Sequence, residues 1–298
     1  MLKGVDKKLA DHILDEVVDS AVGVGWDDII GLGSAKQALQ EMVIMPALNP
    51  ELFSGLRAPP KGLLLFGPPG NGKTMLAKAA AAQAGSTFFS ISASSLVSKW
   101  VGESEKLVRA LFAVARHLQP SIVFIDEIDS LLSARTANEQ ESTRRLKTEF
   151  LVQLDGATTA TEERIVIMAA TNRPEDIDEA ARRRFVKRIY VGLPDADARK
   201  DMITMLLRGN SASLTSRQMN QLAKATKGYS GADIAALCRE AALGPVRELG
   251  MAIQGASESD IRPIAHKDFK AAMKMVRPSV SPESLVAYRE WNDQYGSS

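Results

Sequence analysis

Residues 67–74 read Gly67-Pro68-Pro69-Gly70-Asn71-Gly72-Lys73-Thr74, and no other stretch restricts the fold as tightly. The spacing is G-x-x-x-x-G-K-[ST], a phosphate-binding P-loop. The run Gly62-Leu63-Leu64-Leu65-Phe66 before it reads as a buried strand, and the residues from Met75 to Ala84 read as a helix. Strand, loop and helix in that order are the context the motif needs. The glycines let the backbone turn tightly and aim its N–H groups inward. The new helix adds the positive end of its dipole. Lys73 then reaches the β- and γ-phosphates of a bound nucleotide, and the Thr74 hydroxyl meets Mg²⁺.

A second strand carries the complementary charge. Ser121-Ile122-Val123-Phe124-Ile125 is apolar throughout and ends in Asp126 and Glu127. An apolar run of this kind belongs to a strand covered on both faces. Carboxylates at its C-terminal end lie where parallel sheets place their ligands. Beside a P-loop they read as a Walker B pair, with Asp126 holding Mg²⁺ and Glu127 polarising the attacking water as general base. The run from Ile165 to Thr171 is a further buried strand, followed by Asn172. That asparagine is either a turn residue before Arg173-Pro174 or a group that orients water at the γ-phosphate.

The remaining organisation is coarser. Residues 6–19 carry Leu9, Ile13, Leu14, Val17 and Val18 on one helical face. Ser34 is a suitable cap for a helix running to about Ala47. Short strands are predicted from Thr87 to Ile91 and from Arg188 to Val191, and residues 92–96 form a small polar turn. Helices are predicted from Glu103 to His117 and from Arg144 to Leu154, the second after a polar stretch at 134–143. The turn Gly192-Leu193-Pro194 marks a boundary, beyond which only helices are expected: 196–208, 216–226, 231–242, 245–251, one opening at His266, and 281–295. The expected organisation is an N-terminal helix and linker over 1–25, a large α/β domain over 26–192 with a parallel sheet flanked by helices, and a small helical domain over 193–298. The last helix presents Leu285, Tyr288, Trp291 and Tyr295 as one stripe, against the body of the molecule or against a neighbouring subunit. Taken alone, Lys99-Trp100-Val101-Gly102 is a core tryptophan at a loop edge, and Arg182-Arg183-Arg184 is a solvated cationic face.

Composition excludes several classes. Thirty-seven basic against 36 acidic residues give a net charge of +1, so there is no chain-wide basic field to hold nucleic acid. Cys238 is the only cysteine, so no disulfide forms within the chain. No apolar run approaches the roughly 18 residues of a membrane span.

P-loop, Walker B pair and polar strand end arrive in that order, in an alternating α/β segment followed by helices. This resembles the AAA ATPases, and within them the microtubule-severing branch of spastin, katanin and fidgetin, with the spastin family nearest. The likeness runs from Lys3-Gly4-Val5-Asp6 to Trp291. It includes Leu52-Phe53-Ser54-Gly55-Leu56-Arg57-Ala58-Pro59, Arg144-Arg145-Leu146-Lys147-Thr148-Glu149-Phe150 and Ala242-Leu243-Gly244-Pro245.

The resemblance implies an ATP- and Mg²⁺-dependent severing motor, an activity classed with isomerases, which acts on cytoplasmic microtubules as a homo-hexamer when ATP is bound. It implies that Lys99, Trp100 and Val101 form a first pore loop that grips an extended polypeptide. Arg144 and Arg145 fall at a second pore loop suited to the acidic C-terminal tails of tubulin. Arg183 and Arg184 fall at the arginine fingers that reach a neighbour's γ-phosphate, although Arg182 stands where an apolar residue is expected. Gly231 and Ala232 fall at a lid closing over adenine and ribose, with Asp28, Ile30 and Gly31 on the other side of the base. A related client, the membrane-scission filament, would use the same chemistry. Spastin-like proteins usually carry an N-terminal trafficking and microtubule-binding region that is not visible here, so the chain is expected to be the motor alone.

Overall fold

The computed structural model describes residues 7–19, 23–98, 103–133, 141–159 and 163–297. A six-stranded sheet organises the larger part. Its strands are β1 (Val18–Asp19), β2 (Gly62–Phe66), β3 (Thr87–Ser92), β4 (Ser121–Asp126), β5 (Ile165–Thr171) and β6 (Lys187–Tyr190). In space they run β1-β3-β4-β5-β2-β6. β2 to β6 are mutually parallel, and β1 pairs antiparallel with β3 at the edge.

Side chains alternate across the sheet with period two. Leu64, Phe66, Val123, Ile125, Ile167 and Ala169 join one core, with helices Ser104–His117 and Glu141–Thr159. Leu63, Leu65, Ile122, Phe124, Met168 and Ala170 join the other, with the P-loop helix Lys73–Gln83 and the helical segment 33–48. β2 is buried along its whole length and paired on both edges, by β5 and β6, so the P-loop leaves a strand fixed by its neighbours on both sides.

A third core belongs to the small domain, built on Ala196–Leu206, Ser216–Ala225, the lid helix Gly231–Glu248 and His266–Met275. The C-terminal helix Pro282–Tyr295 leaves that group and returns to the large domain. Its Trp291 packs edge-on to Phe66 at 4.4 Å between ring centroids, so the aromatic stripe faces the body of its own chain. Among the described residues no helix is long and apolar enough to cross a membrane.

Several local expectations are corrected. The first helix ends at His12, a π-helical turn covers Ile13–Val17, and Val18–Asp19 becomes β1. The open edge of β3 offers backbone partners that a helix end lacks, and Leu14 is left exposed. Ser34 is not a cap, because the helix begins at Gly33 behind Leu32 in a left-handed conformation, φ 55°. The polar turn at 92–96 is instead the helix Ala93–Ser98. The predicted break at 243–244 is absent. Pro245 lies inside one continuous helix to Glu248, where it is buried and burial outweighs the missing donor. A short parallel pair, β7 (Ala212–Ser213) with β8 (Ile264–Ala265), adds strands where only helices were expected.

Candidate active site

The P-loop bends around glycines that admit no side chain. Gly67 has φ 140°, and a Cβ there would lie 2.4 Å from the Val191 carbonyl oxygen. Gly70 has φ 74°, and its Cβ would lie 2.7 Å from Ala232 Cβ of the lid helix. Within the loop, Lys73 Nζ donates to the carbonyls of Gly67 (2.8 Å) and Pro68 (2.9 Å). Lys73 is buried, and burial pulls its pKa down to about 8, with Asp126 opposing the shift. A cation desolvated in this way is stabilised by an arriving anion. Pro69 is exposed.

The Walker B pair is joined to the P-loop directly. Thr74 Oγ1 donates to Asp126 Oδ2 at 2.8 Å, and the Glu127 N–H donates to Asp126 Oδ1 at 2.9 Å. Glu127 has φ 51°, a left-handed conformation uncommon outside glycine and of a kind that gathers at functional sites. Its carboxylate lies within 3.4 Å of Ser92 Oγ and 3.3 Å of Ser94 Oγ. These serines are legible in the sequence only once the end of β3 is aligned with that of β4, where Ser92 pairs with Asp126. The Ile128 N–H donates to the Ala170 carbonyl at 3.0 Å, which holds the end of β5 against the turn after Glu127. Asn172 follows that strand, and its side-chain oxygen is buried with no hydrogen-bond partner among the described residues.

The lid helix meets the P-loop through donors that every helix start leaves over. Ser230 and Asp233 form a capping box, in which the Ser230 hydroxyl accepts from the Asp233 N–H and the Asp233 carboxylate accepts from the Ser230 N–H. The next two N–H groups turn outward. Gly231 donates to Asn71 Oδ1 at 3.2 Å and Ala232 to the Gly70 carbonyl at 2.9 Å. Asn71 also donates to the Pro68 carbonyl, so one buried side chain ties the lid to the loop.

Beside this clasp opens a cavity of about 360 Å³. Asp28, Ile30, Asn71, Met75, Gly231 and Ala232 line it as expected. Gly31 does not, and instead stands against Ala198, to which a Cβ would approach within 3.0 Å. Met202, Met205 and Leu206 also line the cavity and were not anticipated. Mostly apolar walls beside a phosphate cradle suit a purine base.

Mg²⁺ also fits these residues. The Thr74 hydroxyl and the Asp126 carboxylate are hard oxygen donors already in contact. Among the described residues no cluster of three His, Cys, Asp or Glu side chains could hold a metal alone. Mg²⁺ characteristically takes one or two protein oxygens together with phosphates and water.

The arginines stand elsewhere. Helix Glu179–Arg184 ends where a Cβ on Gly62 would meet the Arg184 carbonyl oxygen at 2.4 Å, at the start of β2. The P-loop leaves the other end of that five-residue strand, roughly 16 Å away at about 3.3 Å per residue. Arg183 is exposed and paired with Glu179 at 2.5 Å. Arg184 forks onto Asp155 at 2.6 and 2.8 Å. Arg182 lies over the Tyr295 ring at 4.7 Å, which accounts for a cation where an apolar residue was expected. Arg144 and Arg145 are exposed on Glu141–Thr159 in a groove with Glu105, Glu141 and Glu149, and Arg145 pairs with Glu141. The wall is therefore of mixed charge. Lys99, Trp100 and Val101 lie outside the described residues.

Comparison with known proteins decides the family. The model for the ATPase family associated with various cellular activities (AAA) matches residues 63–193, the AAA+ lid domain 218–262, and the Vps4 C terminal oligomerisation domain 251–296. The solved AAA domain of FIGL-1 in complex with ADP superposes with a TM-score of 0.93 at 50% identity, covering 100% of both chains. The chain belongs to the AAA ATPase family. Its parallel sheet with a helical lid is the AAA fold. A katanin chain from a structure on katanin self-assembly superposes with a TM-score of 0.81 at 41% identity, over 97% of each chain. Spastin of Dictyostelium discoideum is 58% identical and fidgetin-like protein 1 of Xenopus laevis 55% identical, each over 99% of this chain and 45% of the relative. This AAA chain thus spans less than half of the curated relatives it matches.

Proposed function

We propose that the chain is the motor of a microtubule-severing AAA ATPase. The observation that carries this reading is identity of 55–59% to spastin and fidgetin-like proteins over 99% of the chain, lid and C-terminal segment included. ATP binds with its phosphates on the P-loop amides and Lys73, and with its base in the cavity under the lid helix. Glu127 accepts a proton from the attacking water, which Asn172 orients. Thr74 and Asp126 would hold Mg²⁺, which would supply positive charge beside the transferring phosphates. Arg183, with Arg184 beside it, meets the γ-phosphate of a neighbouring copy, because both lie at the far end of β2 from their own P-loop. Hydrolysis therefore needs assembly, most simply a hexameric ring.

In that ring Lys99, Trp100 and Val101 grip the client, and Arg144 and Arg145 attract an acidic one, the C-terminal tail of tubulin. Pulling on tails extracts subunits from the lattice of cytoplasmic microtubules. That change in polymer state, rather than hydrolysis alone, is what an isomerase classification describes. A second client, the membrane-scission filament, is favoured by one observation, the match of residues 251–296 to the Vps4 C-terminal model. Sedimentation and ATPase assays with intact and tail-cleaved microtubules separate the two. Stimulation by intact polymer alone supports the tubulin reading, and equal stimulation by both contradicts it.

A further inference from the structure

We infer that the C-terminal helix Pro282–Tyr295 holds the water-orienting asparagine of its own chain in place, and that Tyr288 is the positioning residue. The inference rests on the role proposed above for Asn172.

β5 ends at Thr171, so the Asn172 carbonyl has left the sheet ladder. Two contacts fix the backbone there. The Thr171 hydroxyl donates to Asp129 Oδ1 at 2.7 Å and accepts the Arg173 N–H at 2.8 Å. From the other side the Tyr288 hydroxyl donates to the Asn172 carbonyl oxygen. The main chain is thereby pinned, while the buried side-chain oxygen has no hydrogen-bond partner among the described residues.

Tyr288 is itself well supported. Its ring lies 6.5 Å from that of Tyr190 at the end of β6. One turn on, Trp291 packs on Phe66, the last residue before the P-loop. Beyond the helix, the Arg188 N–H donates to Ser297 Oγ at 3.0 Å and the Ser297 N–H donates to the Arg188 carbonyl at 2.9 Å. An element that follows the small domain in sequence therefore touches the ends of β2, β5 and β6. Removing the Tyr288 hydroxyl alone should disturb Asn172 while Trp291 keeps its packing on Phe66, and so leave the P-loop and nucleotide binding intact.

The test compares wild type, Tyr288→Phe, Asn172→Ala and the double variant for kcat, KM for Mg²⁺–ATP, affinity for a fluorescent ADP analogue, and Tm. Phenylalanine keeps the ring and removes only the hydroxyl. Tyr288→Phe is expected to lower kcat about tenfold, part of what a direct catalytic hydrogen bond supplies. KM and ADP affinity should stay within about twofold, which separates positioning from binding. The double variant should match Asn172→Ala alone, since residues acting through one group are not additive. Tyr288→Phe with wild-type kcat, a parallel loss of kcat and ADP affinity, or multiplicative losses in the double variant would each overturn the inference. If Asn172→Ala keeps the wild-type kcat, the role of Asn172 falls as well. If it loses kcat while Tyr288→Phe does not, only the inference falls.

Discussion

The two ends of β2 hold cations in opposite states. At the Phe66 end, Lys73 is buried and its ammonium donates to the Gly67 and Pro68 carbonyls, with burial lowering its pKa to about 8. At the Gly62 end, Arg183 is exposed and Arg184 partly so, and each is parked on a carboxylate of its own chain. The first arrangement is costly until an anion arrives. The second is comfortable alone and available to an anion brought by another molecule. Roughly 16 Å of strand separates the two ends, which favours a second molecule as the source of any anion these arginines meet. The contrast supports the proposal that one chain carries two halves of different sites.

The sharpest way to break that contrast is to remove the exposed member. Arg183→Ala should leave Tm and ADP affinity unchanged, because its ion pair with Glu179 is a surface one. It should lower the ATPase rate of the assembled protein by about 10³, the lower end of what an arginine finger supplies. Steady-state hydrolysis beside ADP binding checks both halves of this prediction, and a rate within a few-fold of wild type would place the arginine outside the chemistry.

At the buried end the prediction concerns pH. Lys73 is lowered from 10.5 to about 8, so the free site loses its charge as pH rises past about 8. Bound phosphates favour the protonated form, so ADP affinity should fall by about tenfold per pH unit above that point. Binding at pH 9 should take up a proton, visible as a buffer-dependent heat in calorimetry. For the ligand-free fold the sign runs the other way. Between about 8 and 10.5 the unfolded chain holds the proton that the folded chain has lost, so Lys73 contributes stability that grows with pH over that window.

The smallest effect is expected at Arg184. Removing its fork onto Asp155 should cost about 1 kcal/mol. That is a fall of roughly 1.5 °C in Tm for a chain of this size. The accompanying loss in rate should be smaller than for Arg183→Ala. An unchanged Tm would show that the pair does not hold the edge.

These differences follow how the site is encoded. The P-loop, Asp126 and Glu127 were legible because each lies in a contiguous strand–turn segment whose apolar run and terminal polar residues are local. Met202, Met205 and Leu206 were not, because on the helix Ala196–Leu206 they read as ordinary apolar positions until the lid is folded over the P-loop. The Asn71 clasp was hidden for the same reason, since its partners Gly231 and Pro68 lie 160 residues ahead and three behind. Val18–Asp19 carried a helical pattern, and only the free edge of β3 makes it a strand. Tyr288 was placed on the correct stripe, but nothing along the chain pairs it with the Asn172 carbonyl.

The central claim is that each nucleotide site is completed by a second copy. Mixing two inactive variants tests it most directly. Glu127→Gln keeps Arg183 but lacks the base, and Arg183→Ala keeps the base but lacks the arginine. In equimolar mixture the ATPase rate should recover to roughly a quarter of wild type, the random-pairing share of interfaces that join an intact base to an intact arginine in a head-to-tail ring. A mixture no more active than the sum of its parents would contradict the account.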